Sequence, residues 1–124
     1  MILIYGGAFQ GKTQYAMRNY LLENQDIYFC EDNTIDFSKK AINGLHIFIL
    51  KALMSGQDPE QYISDNLEKF KDKIILVDDI SCGVVPLTPL ERKWRESTGK
   101  CIRLLASECE SVIRIFCGFA QFLK

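Results

Sequence analysis

Met1-Ile2-Leu3-Ile4-Tyr5 runs directly into Gly6-Gly7-Ala8-Phe9-Gln10-Gly11-Lys12-Thr13 at the start of the chain. The first five residues are a short apolar run suited to a buried parallel strand. The next eight complete the pattern G-x-x-x-x-G-K-[ST], and the residues from Thr13 onward are helix-forming. Strand, glycine-rich loop and helix in that order are the context a phosphate-binding loop requires. Its glycines let successive main-chain N–H groups turn into one concavity, and the following helix adds the positive end of its dipole. Gly6, Gly7, Ala8, Phe9, Gln10, Gly11, Lys12 and Thr13 are therefore the candidate nucleotide-binding residues. Lys12 is placed to reach the β- and γ-phosphates of ATP or GTP, and the Thr13 hydroxyl to help hold Mg²⁺.

Working outward, a first helix is expected from about Thr13 to Glu23, with Ala16, Met17, Tyr20 and Leu21 as its apolar stripe. Asp26-Ile27-Tyr28-Phe29-Cys30 reads as a strand, with Glu31 and Asp32 at its carboxyl edge, the ligand side of an open α/β sheet. From Ala41 to Met54, helical spacing competes with a strand-like His46-Ile47-Phe48-Ile49-Leu50, and helix is the favoured reading. Asp58-Pro59-Glu60-Gln61 opens another helix with an N-cap and an N1 proline, running to about Lys71. Lys73 to Val77 reads as a fully buried strand ending at Asp78-Asp79. Thr88-Pro89-Leu90-Glu91 repeats the capping logic and starts a long helix to about Glu108. Ser111 to Cys117 is the last strand. The alternation predicts an α/β fold, P-loop NTPase-like, with three α/β/α layers and a mainly parallel sheet. One nucleotide-binding domain would span residues 1–124.

Composition narrows the class. The chain has 124 residues, 48% of them hydrophobic, enough for a single core. Its net charge of −1 spreads 15 basic among 16 acidic residues, without the basic tract that nucleic acid demands. The five cysteines are odd in number and include no C-x-x-C pair, so reduced, mostly buried thiols are expected. No run of about 18 apolar residues marks a membrane span, and no leader-like segment precedes the loop. A cytoplasmic protein is the expectation.

Several other positions bear chemistry. Asp78 and Asp79 stand where a nucleotide-dependent kinase or hydrolase needs a carboxylate, to orient Mg²⁺ or to take a proton from an attacking hydroxyl. The bland alternative is that both cap a turn as solvated acids. On the long helix, Leu90, Trp94, Cys101, Leu104 and Leu105 gather on one side as core. Arg92, Arg95, Lys100 and Arg103 fall on the other, with Gly99 among them. Arg92 and Arg95 are candidates to grip a phosphate of substrate or nucleotide, against the plainer reading of a solvated basic face. His46, the only histidine, is a candidate acceptor or general base, or else a structural residue. Tyr5, Phe29, Phe48, Phe116 and Phe119 read as core or nucleotide-edge packing.

Taken together, the phosphate loop, Gly83-Val84-Val85-Pro86 after the acid-ended strand, Arg92-Lys93-Trp94-Arg95 with Gly99, and the ending from Val112 to Lys124 carry a family likeness. The chain resembles the adenosylcobinamide kinase/adenosylcobinamide-phosphate guanylyltransferase family of cobalamin assembly, over residues 1–124 with one compressed region. The resemblance implies transfer of the γ-phosphoryl group of ATP or GTP to a corrinoid hydroxyl. It also implies a homo-oligomer, a trimer, with active sites at subunit boundaries. Two departures stand out. The family's R-I-x-x-H-R segment, whose histidine receives GMP, has no counterpart here, so the kinase half of the chemistry is what the likeness implies. The family's Asp-Cys-Leu-Thr reads Asn43-Gly44-Leu45-His46, which exchanges a Mg²⁺-facing carboxylate for an amide. The family's Asn-Glu corresponds to Asp78-Asp79, which makes Asp79 the preferred carboxylate. Rival readings are a non-catalytic nucleotide-binding sensor or partner subunit, and a small-molecule kinase or nucleotidyltransferase with another substrate.

Overall fold

Every strand of the computed structural model, which describes residues 1–80 and 88–124, joins one sheet of order β2-β3-β4-β1-β5-β6. The strands are β1 (Ile2–Gly6), β2 (Ile27–Phe29), β3 (Ala41–Asn43), β4 (Ile74–Asp78), β5 (Ser111–Phe116) and β6 (Phe119–Phe122). All pair in parallel except β6, which runs back along β5. The helices are α1 (Lys12–Asn19), α2 (Leu45–Met54), α3 (Pro59–Asp65), α4 (Leu67–Phe70) and α5 (Pro89–Glu108).

Alternation along the strands builds the layers. Leu3, Ile75, Val77 and Val112 face one side and pack with Phe48 and Ile49 of α2, Ile63 of α3, Phe70 of α4 and Leu105 of α5. Ile4, Leu76, Ile113 and Ile115 face the other, where Ala16 of α1 meets them. The result is the three-layer α/β/α architecture with a mainly parallel sheet. Among the described residues no helix is long and apolar enough to cross a membrane.

Local departures from expectation have physical causes. The residues from Ala41 to Met54 are not one helix. Ala41 and Ile42 are fully buried between β2 and β4 as strand, and Gly44, at φ 81°, turns the chain into α2. Helix α1 stops at Asn19 rather than near Glu23. Its end closes with Leu22 N–H donating to Met17 O at 3.0 Å while Leu21 takes φ 53°, a Schellman-type turn built without the usual glycine. The helix expected up to Lys71 breaks at Asn66, whose Nδ2 donates to Tyr62 O at 2.7 Å and competes with the helical ladder.

The C-terminal hairpin was not foreseen. Cys117 and Gly118, at φ 50° and 80°, form its two-residue turn. Phe116 and Phe119 beside that turn are exposed, as is Phe29, so these rings are not core; Phe48 is. Leu90 likewise lies outside the core of α5, which uses Trp94, Ser97, Thr98, Cys101 and Leu105 instead. Cys30, Cys101 and Cys109 are buried and Cys117 is exposed. Cys82 and the Gly83-Val84-Val85-Pro86 loop lie outside the described residues.

Candidate active site

The phosphate loop leaves the carboxyl end of β1 and is held by its neighbours on the sheet. A Cβ on Gly6 would collide with the main-chain carbonyl of Ile115 on β5. Gln10 ties the loop to the hairpin turn: its side-chain Oε1 accepts from Cys117 N–H at 2.6 Å and its carbonyl from Gly118 N–H at 2.9 Å. Gly11, at φ 94°, is the N-cap of α1 and offers no capping side chain. The first N–H groups of α1 are thus left for an anion. Phe9 sits at the loop's apex with φ 60°, fully exposed.

Lys12 is the charged residue this loop buries, at 6% exposure. Its Nζ donates to Gly7 O at 2.7 Å and lies 2.7 Å from Asp78 Oδ1. Asp78 arrives there because β4 pairs with β1 in the register Gly6 to Asp78. The Thr13 hydroxyl accepts from Asn43 Nδ2 at 3.0 Å. A cavity of about 310 Å³ is lined by residues 8–14 with Asn43, His46 and Asp78.

His46, on the first turn of α2, faces Asp78 with both ring nitrogens. Nδ1 accepts from the Asp78 main-chain N–H at 3.1 Å, and Nε2 lies 3.4 Å from Asp78 Oδ2. Burial pushes the imidazole below its ordinary pKa, outweighing the upward pull of the Asp78 charge. Trp94 of α5 stacks on it, ring centroids 6.4 Å apart, and its Nε1–H donates to His46 O at 2.8 Å.

The structure therefore brings Lys12, Thr13, Asn43, His46 and Asp78 together. Asp79 stands one residue further on, its N–H donating to Gly6 O at 2.8 Å, and among the described residues it does not line the cavity. Arg92 is exposed and Arg95 half-buried on α5, flanking Trp94 and outside that lining. Among the described residues a Cβ on Gly99 would meet the Arg103 guanidinium alone, at 3.7 Å, so their packing does not demand glycine there. Asp32 is engaged in its own turn, Oδ1 accepting from the Thr34 N–H and hydroxyl. Two contacts around the cavity had no clear sequence signal. Trp94 read as core gave no hint of its indole bond to α2, and Gln10 none of its grip on residue 117.

The sequence profile of the cobinamide kinase / cobinamide phosphate guanyltransferase family matches residues 41–123. The chain belongs to that family. The matched span runs from β3 to β6 and contains Asn43, His46, Asp78, Asp79, Arg92 and Arg95, whereas the phosphate loop precedes it. No curated protein matches the chain. The family acts on nucleotide and corrinoid substrates, and the chemistry of the buried lysine and the uncapped helix end suits a phosphate chain.

Proposed function

We propose that this protein is a cobinamide kinase, transferring the γ-phosphoryl group of ATP or GTP to the hydroxyl of a corrinoid side chain. The observation that carries this reading is the buried Lys12 ammonium held between Gly7 O and Asp78 Oδ1. A cation kept there beside the loop neutralises phosphates by exchanging the Asp78 oxygen for phosphate oxygens.

Residues 6–13 bind the phosphate chain through main-chain N–H groups and Lys12. The oxygen donors that fit Mg²⁺ are the Thr13 hydroxyl and the Asp78 carboxylate, both at the cavity wall. Mg²⁺, when bound, neutralises charge on the β- and γ-phosphate oxygens. Asp79, the residue after β4, takes the proton of the acceptor hydroxyl as the hydroxyl oxygen bonds to phosphorus and the bridging oxygen leaves with the diphosphate. Arg92 and Arg95 orient the acceptor from α5. Positioning supplies most of the rate.

Guanylyl transfer is set apart from this reading by the lack of the family's R-I-x-x-H-R segment and by the engagement of His46 with Asp78. One specific observation favours a second reading, a nucleotide-binding sensor: beside Thr13 stands the Asn43 amide rather than a carboxylate. We place the protein in the cytoplasm as a single domain forming a homo-oligomer, a trimer, to which the exposed Phe116, Phe119 and Phe122 of the hairpin lend support.

Incubation with Mg-ATP or Mg-GTP and cobinamide, followed by mass spectrometry, tests the proposal. Phosphoryl-cobinamide is the expected product. Nucleotide binding without turnover would favour the sensor, and turnover of a different acceptor only would move the substrate elsewhere. Labelled GTP followed by denaturation reads any covalent guanylylation, and none is expected.

A further inference from the structure

His46 lies at the meeting point of four parts of the fold: the end of β4 through Asp78, the phosphate loop through Lys12 beyond it, its own helix α2, and α5 through Trp94. Asp78 is gripped from two sides. Lys12 holds Oδ1, while the imidazole accepts the main-chain N–H and presents Nε2 to Oδ2. With Nδ1 acting as acceptor, the neutral ring carries its proton on Nε2, the tautomer that faces the carboxylate with a donor. The Trp94 indole then ties α5 to the His46 main chain and stacks on the imidazole, ring centroids 6.4 Å apart.

We infer that His46 is a positioning residue, which fixes the Asp78 carboxylate toward the phosphate loop, and that Trp94 sets the register of α5, with Arg92 and Arg95, against that same carboxylate. The catalytic consequence rests on the kinase reading above; the tautomer and the tie to Trp94 do not.

His46 is the chain's only histidine, so its ring ¹⁵N signals need no assignment. At neutral pH they are expected to show the Nε2–H tautomer, and W94F, which keeps a ring but loses the N–H donor, is expected to shift them. H46A is expected to lower turnover by about tenfold or more while nucleotide Kd stays within about twofold, and H46N, which restores an acceptor for the Asp78 N–H, to recover most of the loss. W94F is expected to raise the KM for the acceptor severalfold at unchanged nucleotide Kd. An Nδ1–H tautomer, H46A turnover within about twofold of wild type, or equal losses in H46A and H46N would each overturn the inference. Wild-type protein that transfers no phosphoryl group would contradict the kinase reading alone, and the tautomer and its response to W94F would then decide this inference by themselves.

Discussion

Lys12 Nζ and Asp78 Oδ1 lie 2.7 Å apart beyond the carboxyl ends of the paired strands β1 and β4, and the two ends of this pair are unequally covered. The lysine side chain is 7% exposed and the aspartate 26%. A buried ammonium without a partner is costly, so Asp78 keeps the cation in place in the free protein and remains reachable from the cavity itself.

Replacing each carboxylate separates their roles. D78A leaves Lys12 without its counter-charge and is expected to lower stability by about 1–3 kcal/mol, to weaken Mg-nucleotide binding and to lower turnover. D79A is expected to leave nucleotide affinity intact and lower turnover by about tenfold or more. Thermal melts, calorimetry and steady-state rates on the two variants check this; a D79A variant with full turnover would remove Asp79 from the chemistry.

The loop's mounting gives a second outcome. G6A forces a Cβ onto the Ile115 carbonyl, a backbone atom that cannot swing aside, and a loss of about 1–3 kcal/mol is expected from overpacking alone. Q10A removes the acceptor for Cys117 N–H and is expected to cost about 1 kcal/mol, with faster amide exchange at residue 117 and weaker nucleotide binding. Unchanged exchange at residue 117 in Q10A would show that the hairpin stands without this strap.

Much of this was legible in the chain. Strand, loop and helix around Lys12 could be read because the motif fixes backbone geometry and charge together. Thr88 and Asp58 announced their helices through caps that the structure contains, with Thr88 Oγ1 accepting from Glu91 N–H and Asp58 Oδ1 from Glu60 N–H. What stayed hidden depends on register. Periodicity could not say that Asp78 rather than Asp79 shares the Lys12 side of the sheet, because this follows from Gly6 pairing with Asp78. Ala41 and Ile42 looked helical, since three residues are too few to show a period of two; only their place between two strands makes them a strand. The break at Asn66 and the stop of α1 at Asn19, with Leu21 left-handed just beyond it, arise from side-chain and left-handed turns that leave no glycine behind.

Asn43 offers a gain-of-function experiment. N43D exchanges an amide that donates to Thr13 Oγ1 for a carboxylate that accepts from it, and adds a hard oxygen ligand beside Thr13. Tighter Mg²⁺ dependence is expected, seen as a lower magnesium concentration for half-maximal nucleotide binding. An unchanged magnesium requirement would show that position 43 does not face the metal.

Alkaline stability follows from the buried thiols. Burial pushes Cys30 and Cys101 from 9.0 up to about 12, and Cys109 up to about 11. The folded thiols therefore keep their protons at pH values where unfolded ones lose them, so their stabilisation is complete below about pH 9 and is lost as pH rises toward 11–12. Denaturant melts from neutral to alkaline pH are expected to show this decline. Serine at Cys30, Cys101 and Cys109 together should flatten the slope, and a slope that persists unchanged would assign it to other groups.

The most direct test is calorimetric titration of wild type and K12A with Mg-ATP and Mg-GTP. The wild type is expected to bind at least one of them, and K12A to bind it about a hundredfold more weakly, a change of about 2.7 kcal/mol. No heat from either nucleotide with wild type, or equal affinity in K12A, would contradict the assignment of residues 6–13 as the phosphate site.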